Sequence, residues 1–150
     1  MAAGIEPSRK ADKHPKDYYK INRDLTYQTA VVAKAYGVKQ FIVLSSLDVY
    51  GTKLAKVTEH SQAYPETDYA KSKYEADQKI TALSDNLFCV CILRLPIVTT
   101  NGKESYFSKL NFLLPGSAKR RKEKVHIDKV CSLIHNFVIH NTTGIMSVAE

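Results

Sequence analysis

The sequence predicts an α/β chain built on a doubly wound parallel sheet. Two observations carry that expectation. Two short, continuously apolar runs, Phe41 to Leu44 and Leu87 to Leu93, read as strands buried on both faces. Each follows a segment with helical periodicity, so the order is helix, strand, helix, strand.

Residues 1–16 are irregular, with Gly4, Pro7 and Pro15. From about Asp17 to Tyr36 the pattern is helical. Ile21, Leu25 and Val32 share a face there, and Gly37 stands just beyond as a stop. After the first strand, residues 45–67 carry Gly51, Pro65 and scattered polar residues and read as a long loop. Loops of this length in compact domains are often functional. Asp68 is placed to cap a second helix from about Tyr69 to Leu83, with Ala76, Ile80 and Leu83 as its apolar stripe. The second strand ends at Arg94-Leu95-Pro96. Beyond it, Phe107 to Leu114 reads as a short helix and Lys119 to Lys124 as a basic run. Asp128 to Ile139 is a helical segment with Val130, Leu133, Ile134 and Phe137 on one side. There is no internal repeat and no low-complexity segment.

The length of 150 residues suits one domain with a real core. No apolar run approaches a membrane span, and Met1 to Lys16 lacks the apolar centre of a signal peptide, so a cytoplasmic setting without membrane contact is expected. Lys and Arg number 22 against 15 Asp and Glu, a formal charge of +7. That excess suits an anionic partner such as a nucleotide, a phosphate or nucleic acid; a solvated basic surface would account for it equally. Cys89 and Cys91 sit two apart in a strand and share a face, where they cannot easily bridge each other. With Cys131 they read as free thiols in a reducing compartment. No metal site is expected, because His14, His60, His135 and His140 show no ligand spacing and His126 reads as structural.

The chemistry centres on Tyr69-Ala-Lys-Ser-Lys73. A Tyr and a Lys four apart lie one turn apart on the same helix face. A neighbouring ammonium favours the phenolate and suits the tyrosine to accept a proton near neutral pH. Such a pair alone is a weak signal, since an exposed helix face often carries both residues. Upstream, Ser45-Ser46-Leu-Asp-Val-Tyr-Gly51 directly follows a strand. In open α/β sheets ligands bind beyond the carboxyl ends of strands, where a hydroxyl can bond the oxygen that a tyrosine deprotonates. Read alone, Ser-Ser suits a turn as well.

Together these motifs resemble the extended short-chain dehydrogenase/reductase family, the NAD-dependent epimerases and dehydratases of nucleotide sugars. A strand followed by Ser-x-x-Val-Tyr-Gly, then Tyr-x-x-x-Lys about two dozen residues on, is similar to the family pattern. The likeness extends to Ala3-Gly4-Ile5, to Asp17-Tyr-Tyr-Lys-Ile-Asn22-Arg-Asp-Leu-Thr26, to Gly37-Val-Lys-Gln-Phe41, to Leu93-Arg94-x-Pro96 and to Val125-His126-Ile127-Asp128. The UDP-glucose and UDP-galactose 4-epimerases and their relatives in polysaccharide synthesis are most similar in feel.

The resemblance implies a Rossmann-like fold, with residues 1–100 as the C-terminal half of an NAD-binding domain and 101–150 as a partial substrate-binding region. It implies Tyr69 as acid/base, Lys73 as the group that tunes it and binds the nicotinamide ribose, and Ser46 as the hydroxyl that holds the reacting oxygen. Ala3, Gly4, Asn22, Ser45 and Pro96 would line the cofactor, NAD. Arg121 or Lys122 would bind the substrate's diphosphate. Asp48 lies where dehydratases usually carry two adjacent acids, but Leu47 replaces one, which favours epimerase or reductase chemistry.

The family's opening Gly-x-x-Gly-x-x-Gly turn is absent among the six glycines. The N-terminal, adenosine-binding half is therefore expected to be missing, and a complementing N-terminal half or a homo-oligomer becomes a candidate partner. A non-catalytic Rossmann-like module or subunit is the alternative function. A basic nucleic-acid-binding module is disfavoured, because no aromatic residue interleaves with the basic run.

Overall fold

The computed structural model describes residue 4 and residues 14–52, 57–58, 60–100, 103–104 and 123–148. The expected helix Phe107 to Leu114, the run Lys119 to Lys122 and Ala3 lie outside the described residues.

The first helix, α1, begins as Pro15–Tyr18, continues as a π-helical stretch Tyr19–Leu25 and ends as Thr26–Ala35. Proline fits its first turn, where the missing N–H costs nothing. Gly37 closes it at φ +74°, as the sequence suggests. Strand β1, Gln40–Ser46, follows, then a 3-10 turn, Leu47–Tyr50. Helix α2 is Asp68–Thr81, and β2 is Cys89–Leu95. A small second sheet takes β3 (Ile97–Thr100), β4 (Lys103–Glu104) and β5 (Lys124–His126) in the order β4-β3-β5. Helix α3, Ile127–His140, leads to β6, Gly144–Ser147.

The main sheet has the order β1-β2-β6, with both pairings parallel. The expected parallel, doubly wound arrangement is therefore observed. Strand alternation sends successive side chains to opposite faces. Val90 and Ile92 of β2 join Phe41 and Val43 of β1 against Ala30 of α1 and Ile80 of α2. Cys91, Leu93 and Leu95 face the other way, against Val125, Val130, Phe137 and Val148, with Ile42, Leu133 and Ile134 packed around them. A helix layer thus covers each face, and the apolar side of α3 is the one its periodicity predicts.

Four expectations need correction. In α1 the inward face is Tyr18, Asn22 and Ala30, whereas Leu25 and Val32 are 37% and 55% exposed. The π stretch closes its hydrogen bonds over five residues and slips the 3.6-residue register; small Ala30 then allows close approach to the sheet. Second, Ser45 and Ser46 belong to β1, because pairing with β2 continues to Ser46 opposite Leu95. Third, the second strand starts at Cys89: Leu87 is 84% exposed, and Asp85 Oδ1 accepts from the amides of Leu87 and Phe88 in a turn. Fourth, Thr67 caps α2, its hydroxyl accepting from Ala70 N at 3.1 Å, and Asp68 is already in the first turn. Strand β6 was not anticipated at all.

Two measurements check this packing. Leu93→Ala empties the centre of one layer and should lose about 2–5 kcal/mol in urea unfolding. Val32→Ala should stay within about 0.5 kcal/mol; a comparable loss at both sites would mean that α1 faces as the plain periodicity suggests. Gly51 ends the 3-10 turn at φ +66° and ψ −161°, and a Cβ there would lie 2.5 Å from the carbonyl oxygen of Tyr64. Gly51→Ala should therefore cost about 1–3 kcal/mol, and an unchanged unfolding midpoint would refute this conformation.

Candidate active site

The candidate residues gather at the carboxyl end of β1 and the first two turns of α2. Tyr69, second in α2, is 8% exposed, and its ring packs edge-on against Tyr18 of α1 with centroids 5.8 Å apart. One turn later Lys73 is half-buried and donates from Nζ to the carbonyl of Leu44 at 3.0 Å. That bond keys the helix carrying Tyr69 to the strand that ends in Ser46.

Ser46 closes β1 and caps the 3-10 turn, its Oγ accepting from Asp48 N at 3.1 Å. A hydroxyl that accepts there keeps its own proton to donate elsewhere. Pro96 follows Leu95, the residue paired with Ser46, so it borders the same strand end.

Asn22 lies in the π stretch of α1, 1% exposed, and its Nδ2 donates to Ser72 Oγ at 3.4 Å. Ser72 Oγ donates to the carbonyl of Tyr69 at 2.7 Å. Gly4 comes to the same place: a Cβ built on it would stand 3.5 Å from Asn22 Oδ1 and 4.0 Å from Lys73 Nζ. Gly4, Asn22 and Lys73, far apart in sequence, are therefore neighbours.

Ser45 behaves differently. It is next to Ser46 in a strand and so faces the opposite side. Its Oγ donates to Asp77 Oδ2 at 3.0 Å, beneath α2. Arg121 and Lys122 lie outside the described residues. Leu47, 1% exposed, packs with Val49, Tyr50 and Val57. His126 caps α3, Nδ1 accepting from Asp128 N at 3.4 Å, which is a structural use.

The sequence motifs include Arg94 and Tyr50 without giving either a role of its own, and they leave out Asp77. Arg94 Nε donates to Asp77 Oδ2 at 2.9 Å, and Arg94 Nη1 to Tyr50 Oη at 2.9 Å. Burial pushes the Asp77 carboxyl up, against the opposing pull of Arg94, Ser45 and Lys73. Burial presses Arg94 toward losing its proton, but Asp77 and Tyr50 outweigh it and hold the guanidinium charged. The signal was present: an arginine inside an apolar strand calls for a buried acid, and Asp77 is one turn beyond Lys73 on the same helix face. Among the described residues no cluster of His, Cys, Asp and Glu is built to hold a metal ion, and no helix is long and apolar enough to cross a membrane.

Residues 1–136 match the NAD dependent epimerase/dehydratase family. The UDP-glucose 4-epimerase of Vibrio cholerae is 35% identical over 136 residues, covering 82% of this chain and 41% of that protein. The human UDP-glucose 4-epimerase is 31% identical over 96 residues, 61% of this chain and 28% of that protein. The chain thus spans less than half the length of these relatives. Among solved structures, the NAD-dependent NDP-hexosamine 5,6-dehydratase TunA superposes with a TM-score of 0.82 at 21% identity, covering 99% of this chain and 53% of that one. The UDP-Glc/GlcNAc 4-epimerase of Campylobacter jejuni gives 0.72 at 18% identity, with 99% and 55% covered. These two likenesses concern the fold, which is the doubly wound sheet described above. On the match over residues 1–136, the chain belongs to the NAD dependent epimerase/dehydratase family.

Proposed function

We propose that this chain carries the catalytic face of an NAD-dependent enzyme acting on a nucleotide-linked hexose of the UDP-glucose class. The observation that carries the reading is the meeting of Lys73 with β1 and with Gly4. Its Nζ holds the carbonyl of Leu44, it shares a helix face with Tyr69, and a Cβ built on Gly4 would stand 4.0 Å from its Nζ and 3.5 Å from Asn22 Oδ1. The approach of a residue without a side chain to Lys73 and Asn22 is a cradle that suits a cofactor's ribose and nicotinamide, so these residues fit NAD on that side. Tyr69, Lys73, Gly4, Asn22 and Pro96 would hold it. Bound nicotinamide would supply a hydride acceptor.

The chain's own residues would do the rest. Tyr69 takes the proton of the sugar hydroxyl, with Lys73 supplying positive charge to the developing phenolate. Ser46, one of whose two acceptor lone pairs is occupied by Asp48 N, donates its proton to the same sugar oxygen and orients it. Leu47 stands where an elimination enzyme of this family would carry an acid, and its burial supports epimerase or reductase chemistry. Arg121 or Lys122 would pair with the diphosphate. Three free cysteines fit a reducing compartment, the cytoplasm.

A second reading is a non-catalytic subunit that completes its site on an N-terminal half or a second copy. One observation favours it: among the described residues β1 stands at the edge of the main sheet, and Leu44 on it is 44% exposed. Calorimetric titration with NAD⁺, followed by turnover assays on UDP-hexoses, separates the two. Under the first reading the chain binds NAD⁺, and Tyr69→Phe lowers turnover by at least roughly 100-fold while leaving the circular dichroism spectrum unchanged. Unchanged turnover in that variant would remove Tyr69 from the chemistry. A folded chain that binds no NAD⁺ would turn the assignment to the subunit.

A further inference from the structure

Arg94 and Asp77 are 6% and 1% exposed, a charged pair between β2 and α2. Buried ion pairs of this kind are seldom needed for stability, since apolar residues of similar volume often serve as well. What this pair supplies is direction. Asp77 Oδ2 accepts from Ser45 Oγ at 3.0 Å and from Arg94 Nε at 2.9 Å. The other carboxyl oxygen, Oδ1, is buried without a hydrogen-bond partner among the described residues, so both bonds depend on one atom. Arg94 Nη1 reaches Tyr50 Oη at 2.9 Å, and the guanidinium lies 5.0 Å from the centre of that ring. Tyr50 Oη is also 2.7 Å from Ser147 Oγ on β6. Ser45 directly precedes Ser46, and Tyr50 ends the 3-10 turn that Ser46 caps.

We infer that Asp77 and Arg94 are positioning residues for Ser46, a buried ion pair that clamps the chain on both sides of it and fixes where its hydroxyl is presented. The inference rests on the reading of Ser46 as the group that holds the reacting oxygen. It gives α2 two holds on one strand end: Lys73 grips Leu44, and one turn later Asp77 grips Ser45. The same helix presents Tyr69, so the clamp sets the serine and the tyrosine in a common frame.

The test replaces the pair by apolar residues in the double variant Asp77→Leu/Arg94→Met and follows amide hydrogen exchange by NMR. The reporters are the amides of Asp48, which donates to Ser46 Oγ, and Gly51, which donates to the carbonyl of Asp48. We expect both to exchange roughly tenfold faster or more, while amides of Ile92 and Leu93 keep their protection. Unchanged exchange at Asp48 and Gly51, or equal acceleration throughout β2, would overturn the clamp. Should the double variant not fold, Ser45→Ala releases the leading hold alone and is judged by the same two amides. Exchange needs neither substrate nor cofactor, so a parent chain without turnover would count against the proposed function and leave the clamp to be decided by the amides. In a chain that turns over, the double substitution should lower kcat roughly 10–100-fold at unchanged KM. It should have no further effect in a Ser46→Ala background; additive losses there would show that the pair acts on something other than Ser46.

Discussion

The bond from Lys73 Nζ to the carbonyl of Leu44 joins the two elements that any chemistry here requires. A side chain from a helix and a hydroxyl from a strand act together only if helix and strand are fixed relative to each other. Apolar packing between layers supplies contact but little direction. The lysine supplies direction, because it ends on a particular carbonyl two residues before Ser46. Asp77 repeats the device one turn later on Ser45, and Asn22 repeats it from α1, reaching Ser72 in the first turns of α2. Polar bonds thus set the geometry of a region whose stability comes from the two apolar layers.

Those layers explain why the polar network tolerates burial. The inner residues of β2 alternate strictly, with Val90 and Ile92 toward α1 and α2 and Cys91, Leu93 and Leu95 toward α3. Arg94 falls on the first of these faces by the same alternation. It therefore arrives beneath α2 whatever its chemistry, and must find an acid there. Asp77 meets it, while Tyr50 and Tyr74 lay their rings against the guanidinium at 5.0 and 6.0 Å. Removing either ion alone would strand the other in an apolar layer, a larger penalty than removing both.

Much of the architecture was legible because it depends on patterns that a sequence carries openly. Continuous apolar runs gave both long strands, and the stripe Val130, Leu133, Ile134 and Phe137 gave α3 its inward face. Gly37 marked the end of α1. What was hidden depends on pairing or on unusual helix geometry. The ends of β1 and β2 are set by their mutual register, from Gln40 opposite Cys89 to Ser46 opposite Leu95, and neither run alone contains that information. The face of α1 was misjudged because nothing in Tyr19 to Leu25 announces a π stretch. Strand β6 is four residues without alternation, recognisable only beside β2. In the candidate site the motif residues were legible through their spacing, but the side to which Ser45 turns required the strand to extend past Leu44.

The position of Ser45 shows how one register decision propagates into function. Had β1 stopped at Leu44, as its apolar run suggests, both serines would lie in a loop with no defined face. Because pairing continues for two residues, alternation sends Ser45 inward to Asp77 and leaves Ser46 on the other side, free to cap the 3-10 turn. The two serines therefore divide the work: one anchors the strand end to the helix, and the other presents a hydroxyl from that anchored end. A sheet that lost those two pairs would keep its apolar layers and lose this division. The last two pairs of the β1–β2 ladder thus contribute more to the candidate site than to the core.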